Sequence, residues 1–355
     1  MPTLNQTPPD LPGKIAAKMF EQVIYPKLGK SRPEVIVGPC IGGDCSIVQL
    51  DSERVFVATT DPLFVMPELG WERAAWFAIH ILASDCATSG IAAQYASLAW
   101  NLPLNFPDCE FTLLWEAIHH TCDNLGIAIV TGHTGRYEGC TFPTVGAGTL
   151  FAIGAPNQYV SPKMAQVGDI VLLTKGMAIE TTAFFGTLCH TAVAKACGEV
   201  VAQDAEQLFS SLSVVDDAVT AATVGVRENG VTSMHDATER GVQGALVEIA
   251  DASGNGIVID YAKIPLPETV RAVCNAFAID PFPASSEGSL VITCRSHKYR
   301  EVLQRLSDNG IPVAAIGEII PRIEGVTISR NGFSEPLIMP ETDPFWDAFT
   351  RVRDV

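Results

Sequence analysis

The chain has 355 residues, 47% of them hydrophobic and 18% charged, which gives enough apolar mass for more than one core and argues against disorder. A formal net charge of −17 leaves no basic excess to neutralise a nucleic-acid backbone, so nucleic acid is excluded as the main partner. No apolar run reaches membrane-spanning length and no signal-type leader opens the sequence, which predicts a cytoplasmic protein without a membrane partner. The ten cysteines form neither a Cys-x-x-Cys pair nor a zinc spacing, and Cys86, Cys189, Cys197 and Cys274 sit in apolar runs as reduced, buried thiols do.

Residues 1–12, rich in proline and asparagine, read as an N-terminal arm. A helix is expected over Lys14–Leu28, with Ile15, Met19, Val23 and Ile24 on one side. Strands follow at Ser46–Leu50 and Arg54–Thr59, joined by the polar turn Asp51-Ser52-Glu53. Gly70–Ser89 is apolar nearly all round and reads as a buried helix stopped by Gly90. A strand at Gln94–Trp100, a helix at Cys109–Leu125 and strands at Ile127–Thr131 and Thr144–Ile153 complete the first half. This order, with its hairpin-like features, predicts an α+β fold rather than a doubly wound parallel sheet.

The polar stretch Tyr159–Gly168 marks a boundary between a domain of residues 13–160 and one of residues 161–355. The second opens with a strand at Ile170–Thr174, then helices at Thr181–Cys197 and Ser213–Asn229, and a turn at Ser233–Asp236. It continues with a helix at Val242–Ala252, a strand at Ile257–Asp260, a helix at Pro267–Ala278 and a strand at Leu290–Cys294. A helix at Tyr299–Asn309 and a strand at Val313–Ile320 follow, and the weakly periodic Val326–Val355 is expected to pack last.

Chemistry concentrates at aspartates in small-residue contexts: Gly42-Gly43-Asp44, Thr60-Asp61, Ser84-Asp85 and His235-Asp236. Such residues are also ordinary turn formers, but carboxylates on a buried scaffold suit a hard cation carrying substrate phosphates. Gly42 and Gly43 would let backbone amides approach an anion while Asp44 holds a metal. Asp85 falls inside the buried helix, where an ionised carboxylate is costly without a partner or a metal. Gly132-His133-Thr134-Gly135-Arg136 could contact phosphate or place a reacting group, or be an ordinary glycine-rich loop. The residues around Asp236 and Thr238 precede a helix, where capping and anion binding are compatible roles. Neither Gly13-Lys14 nor Gly29-Lys30 has the earlier glycine of a phosphate loop, and Gly146-Ala147-Gly148 lies within a strand pattern. His119-His120 lacks zinc spacing, there is no Gly-x-Ser-x-Gly elbow, and no basic cluster marks a nucleophilic cysteine.

Taken together, these segments resemble the aminoimidazole-ribonucleotide (AIR) synthetase-like superfamily over about residues 13–320. The wording that carries the resemblance is Gly168-Asp169, Thr174-Lys175-Gly176, Ser233 to Gly241 running into Ala245–Ala250, Lys263-Ile264-Pro265, Asp280-Pro281 and Ser286-Glu287-Gly288. It is most similar to the hydrogenase-maturation branch, HypE. The resemblance implies a two-domain α+β homodimer whose first domains share a β-barrel, with ATP between the domains and Mg²⁺ on its phosphates. It makes Asp44, Asp61 and Asp85 metal and phosphate-site ligands and Asp236 the second-domain acidic residue near the triphosphate. Gly42, Gly43, Gly132, Thr134, Lys175 and Thr238 join the nucleotide-binding set, and Glu287 and His133 join Asp236 as candidate catalytic groups.

The implied activity is ATP-dependent phosphorylation of a carbonyl- or amide-type oxygen on a small or protein-borne substrate. The alternative is a non-catalytic nucleotide-binding partner in maturation. Two departures bear on this. The branch carries a Pro-Arg-Ile-Cys-type tail, whereas this sequence has no cysteine after Cys294 and reads Arg351 to Val355 at its end, so tail chemistry is not expected in cis. Its Gly-Asp-Thr-Lys loop is here Gly132-His133-Thr134-Gly135, which leaves His133 or Arg136 in the place of the lysine.

Overall fold

The alternating strand and helix signals resolve, in a computed structural model that describes residues 19–353, into two mixed sheets with helices against them. The expected arm, residues 1–12, and the start of the Lys14–Leu28 helix lie outside the described residues. Among the described residues, 19–31 belong to a small separate unit, with a π-helical turn at Phe20–Ile24 and a 3₁₀ turn at Tyr25–Lys27. Everything from Arg32 onward belongs to one compact unit.

The first sheet of that unit contains β1 (Val35–Val37), β2 (Ser46–Gln49), β3 (Val55–Phe64), β4 (Tyr95–Pro103), β5 (Ala128–Tyr137) and β6 (Thr144–Gly154), in the order β1-β2-β3-β6-β4-β5. All its pairings are antiparallel except β4 with β5. Helix α1 (Trp71–Ala87) packs on β3 and β6, with α2 (Asp108–Asn124) beside it. Gly148 in β6 makes this approach possible, because a Cβ there would lie 2.4 Å from Leu82 of α1.

The second sheet contains β7 (Ile170–Thr174), β8 (Val231–Asp236), β9 (Gly256–Asp260), β10 (Leu290–Cys294), β11 (Val313–Ile320), β12 (Val326–Arg330) and β13 (Phe333–Pro336). Their order is β13-β12-β9-β11-β7-β10-β8. Between β7 and β8 run α3 (Ile179–Leu188), α4 (His190–Cys197), α5 (Glu199–Gln207) and α6 (Val215–Ala222). Helices α7 (Gly241–Ser253), α8 (Glu268–Ala276), α9 (Tyr299–Asp308) and α10 (Pro344–Arg353) follow. The strand period of two sorts side chains into separate cores. Val171, Leu173 and Val291 pack with α7, whereas Leu172, Leu290 and Ile292 pack with α6 and α9.

Several elements differ from expectation for identifiable reasons. β3 runs through Asp61 and Pro62 to Phe64 instead of ending in a turn. β2 pairs with β3 only as far as Ala58, so the missing N–H of Pro62 breaks no ladder on that side. Residues 131–136 continue β5, an edge strand, rather than forming a loop. Ser233–Asp236 is likewise strand, because its polar side chains find partners across the sheet: Ser233 Oγ lies 2.7 Å from Thr293 Oγ1. The expected helix Thr181–Cys197 is two helices broken at Cys189, where the ring of His190 takes the Gly186 carbonyl through Nδ1 at 3.1 Å. Helix α5 was not expected, and the Ser213–Asn229 helix is shortened to Val215–Ala222 with a 3₁₀ turn at Arg227–Asn229. The weakly periodic end of the chain forms β12, β13 and α10.

One buried link between α1 and the segment before α6 carries a pH signature. His80 stacks on Trp76 and its Nδ1 lies 2.8 Å from Ser213 Oγ, and burial lowers its pKa from 6.5 to about 4. The folded chain therefore holds His80 neutral while the unfolded chain protonates it below pH 6.5. Its contribution is complete above that value and is lost as pH falls towards 4, reaching about 2 kcal/mol near pH 5. In urea melts at about pH 7.5 and about pH 5, His80→Asn should lose less stability between the two than wild type, by roughly that amount. Equal losses would refute the assignment.

Candidate functional site

The loop from Gly38 to Cys45, between β1 and β2, carries Asp44 alongside β3. Thr59 of β3 fixes two site elements at once, donating from Oγ1 to the Asp44 carbonyl at 2.9 Å and lying 3.0 Å from Asp85 Oδ2. Asp85 projects from α1 and is 8% exposed. Asp61 lies two residues beyond Thr59 on β3, and Asp236 closes β8 in the second sheet.

Glu287 completes the group from the loop Ser285-Ser286-Glu287-Gly288-Ser289, whose backbone and hydroxyls are held from several directions. The Glu287 N–H donates to Glu180 Oε2, Ser286 N–H to the Thr238 carbonyl, and Ser285 N–H to Asp343 Oδ1. Ser286 Oγ accepts from Ile179 N–H, and Ser289 Oγ donates to the Gly176 carbonyl. Lys175, in the left-handed region at φ 59°, sends its ammonium to the Gly288 carbonyl, the Ser213 carbonyl and Asp217 Oδ2, each at 2.7–2.8 Å. All three of its protons are thereby engaged. Glu287 is 2% exposed and its Oε1 has no hydrogen-bond partner among the described residues.

The electrostatics follow from this crowding. Burial pushes the Asp85 carboxyl well above the usual carboxylate range, and Asp236, Asp61, Asp44 and Glu287 push it further. Burial raises Glu287 in the same way, with Asp236, Glu180 and Asp61 adding to it and Lys175 opposing. Glu180, half-buried beside Glu287, is raised to about 7, chiefly by desolvation. Asp44, His235 and Asp236 offer ligand atoms that all lie within 4.8 Å of one another. Two converging carboxylates, further acidic groups pushed upward by burial and by their neighbours, and a buried carboxylate oxygen without a partner among the described residues fit a divalent cation with oxygen ligands.

The structure thus brings Asp44, Asp61, Asp85, Asp236 and Glu287 close enough to act on one another electrostatically. Gly42 packs against α7, Thr238 joins through its carbonyl, and Lys175 braces the Glu287 loop from behind. Gly132, His133 and Thr134 are placed elsewhere. Gly132 shares a transverse row with Asp61 through Leu98 and Gly148, three strand spacings or about 14 Å away. His133 is exposed there, 2.7 Å from the Tyr137 hydroxyl, and Arg136 pairs with Asp108. Sequence reasoning did not select His235, Glu248, Glu180 or Asp343, whose partners are brought to them only by the fold.

Comparison with known proteins agrees with this architecture. Residues 42–152 match the N-terminal domain model of AIR synthase related proteins, and residues 166–328 match its C-terminal domain model. The chain belongs to the AIR synthase related family. It is similar to carbamoyl dehydratase HypE of Escherichia coli (strain K12), with 29% identity over 272 residues covering 74% of this chain and 75% of that protein. Among solved structures, the HypE–HypF complex aligns at TM-score 0.67 with 22% identity, covering 84% of this chain and 94% of that one. The hydrogenase maturation protein HypE in complex with ATP aligns at TM-score 0.62 with 18% identity, covering 94% and 97%. The fold is thus the two-domain α+β architecture of this family, and the chain is HypE-like.

The seating of the Asp44 loop depends on Gly42. It sits at φ 70°, and a Cβ there would stand 2.8 Å from Glu248 Cβ and 3.0 Å from its carbonyl oxygen. Gly42→Ala should cost about 1–3 kcal/mol in urea unfolding with an unchanged m value. A midpoint identical to wild type would show that the loop does not rest on α7 as described.

Proposed function

We propose that the protein is an ATP- and Mg²⁺-dependent enzyme of the HypE type that phosphorylates a carbonyl- or amide-type oxygen on a small or protein-borne substrate. The observation that carries this reading is the convergence of Asp44, Asp61 and Asp85 with Asp236 and Glu287, drawn from both halves of the fold, where burial and mutual repulsion push the Asp85 and Glu287 carboxyls well above the usual range. Phosphoryl transfer depends on positioning and charge neutralisation, and a cation with phosphates is what such a cluster accommodates. The ATP-bound HypE neighbour and the carbamoyl dehydratase relative support the nucleotide and the class of acceptor.

In this reading Asp44, Asp61 and Asp85 hold the cation, and Asp236 flanks the triphosphate. Gly42, Gly43 and Thr238 line the nucleotide, and Lys175 acts on the site through the Gly288 carbonyl. Bound Mg·ATP would supply the γ-phosphoryl group and the charge that lets these acids ionise. Glu287 Oε1 is the atom placed to take a proton from the acceptor, since no group among the described residues competes for it. Burial pushes Cys86, Cys274 and Cys294 up to about 12, which disfavours these three thiols as nucleophiles. Gly132, His133 and Thr134 lie on the exposed edge strand β5, and their part in the site goes with a homodimer joined along that strand. The HypE–HypF neighbour supports a further protein partner in maturation. The domains of residues 13–160 and 161–355 supply the two sides of the nucleotide cleft, in a cytoplasmic setting.

Mg·ATP at a hundredfold excess over its Kd should stabilise the wild type by about 2.7 kcal/mol in thermal melts. Asp85→Asn should abolish that shift and yet melt at or above wild type in chelator, because the amide removes a buried acid from a repelling cluster. No shift in the wild type would sink the reading. A shift without any ATP turnover would favour the non-catalytic nucleotide-binding alternative.

A further inference from the structure

Asp61 and Asp236 are fixed by strands and Asp85 by a helix, whereas Asp44 reaches the cluster from a loop. A loop carboxylate needs a brace to hold one orientation, and the structure supplies a closed one. Gly42 rests directly on Glu248 of α7. Glu248 Oε2 lies 2.7 Å from His235 Nε2, and His235 Nδ1 lies 2.7 and 2.9 Å from the two Asp44 oxygens. The circuit therefore runs from the loop to the helix, from the helix to the ring, and from the ring back to the loop. His235 is 3% exposed, so water does not compete for these bonds.

The ring's own chemistry separates two roles it could play. A histidine that ligates a cation must offer a nitrogen lone pair. Here each nitrogen lies at hydrogen-bond distance from a carboxylate, so both are already engaged within the protein and neither is open to a cation. Within the Asp44–His235–Asp236 group the carboxylates are left to coordinate, and the ring supplies direction. We propose that His235 is a positioning residue that aims the Asp44 carboxylate at the divalent-cation site, with Glu248 anchoring its ring. This rests on the reading of the acidic cluster as a cation site.

The two amide variants of His235 dissect the circuit. His235→Asn keeps a donor near Nδ1, facing Asp44, and loses the one facing Glu248. His235→Gln keeps a donor near Nε2, facing Glu248, and loses the one facing Asp44. Mn²⁺ binding to the full chain, titrated by electron paramagnetic resonance without nucleotide, reads the site directly. His235→Gln should raise the Mn²⁺ Kd about tenfold or more, while His235→Asn, which keeps the bond to Asp44 but loses the anchor, should raise it less. A purely structural role would weaken both equally, and that result, or tight binding by His235→Gln, overturns the proposal.

Should neither variant fold, the Glu248 pair decides the matter. Glu248→Ala removes the anchor and should weaken Mn²⁺ binding, whereas Glu248→Gln keeps an acceptor and should restore most of it. Equal affinities in that pair reject the brace. Wild-type protein that binds no Mn²⁺, or whose binding is indifferent to Asp44→Asn, instead removes the cation reading, and the inference falls with it.

Discussion

Mutual repulsion among buried carboxylates is the constraint on which the site depends. Two unit charges about 4 Å apart repel by roughly 4 kcal/mol in a protein-like medium, and burial adds a desolvation cost. A chain left to minimise energy would turn such groups out to water. Here α1 cannot turn Asp85 outward, because Ser84 and Cys86 on either side are fully buried against neighbouring elements. Glu287 cannot leave because its loop is held by Thr238, Glu180, Asp343 and Lys175. Burial and this crowding push the Asp85 and Glu287 carboxyls upward, and a cation would relieve the repulsion by charge.

The supports come from parts of the chain that carry no chemistry themselves. Asp343 precedes α10, beyond the stretch that matches the family model, and accepts from Arg240 N–H, Ser285 N–H and Phe345 N–H. It ties the start of α7 to the Glu287 loop and so makes the end of the chain part of the site's frame. Phe345 and Phe349 of α10 pack on Phe185 of α3, the helix whose first turn presents Glu180. The apolar contacts fix the helix and the helix fixes the carboxylate.

What was legible in the sequence was whatever announces itself locally. β7, β10 and β11 have the expected bounds because buried apolar runs of five to eight residues between turn signals have few other readings. Asp85 stood out because a carboxylate in an all-round apolar helix needs a reason. Asp61 and Ser233–Asp236 looked like turns because their polar residues are turn formers, and the partners that make them strand residues, Gly148, Leu290 and Thr293, are distant in sequence. His235 was opaque for the same cause: its carboxylates lie 191 and 13 residues away. Periodicity reports which face is buried, and it is silent on what that face meets.

The composition of the cluster has a thermodynamic consequence. Asp44, Asp61 and Asp85 belong to the half built on the first sheet, and Asp236 and Glu287 to the half built on the second. Neither half alone gathers the full set, so a cation that binds all of it binds only the packed arrangement. By linkage, whatever tightens the packing of the halves tightens cation binding, and the reverse holds by the same free energy. The Asp44–His235–Glu248 circuit crosses that seam and is where the coupling is expressed most directly. A cation bound to the whole set would therefore have its affinity and the seating of the two halves set by the same hydrogen bonds.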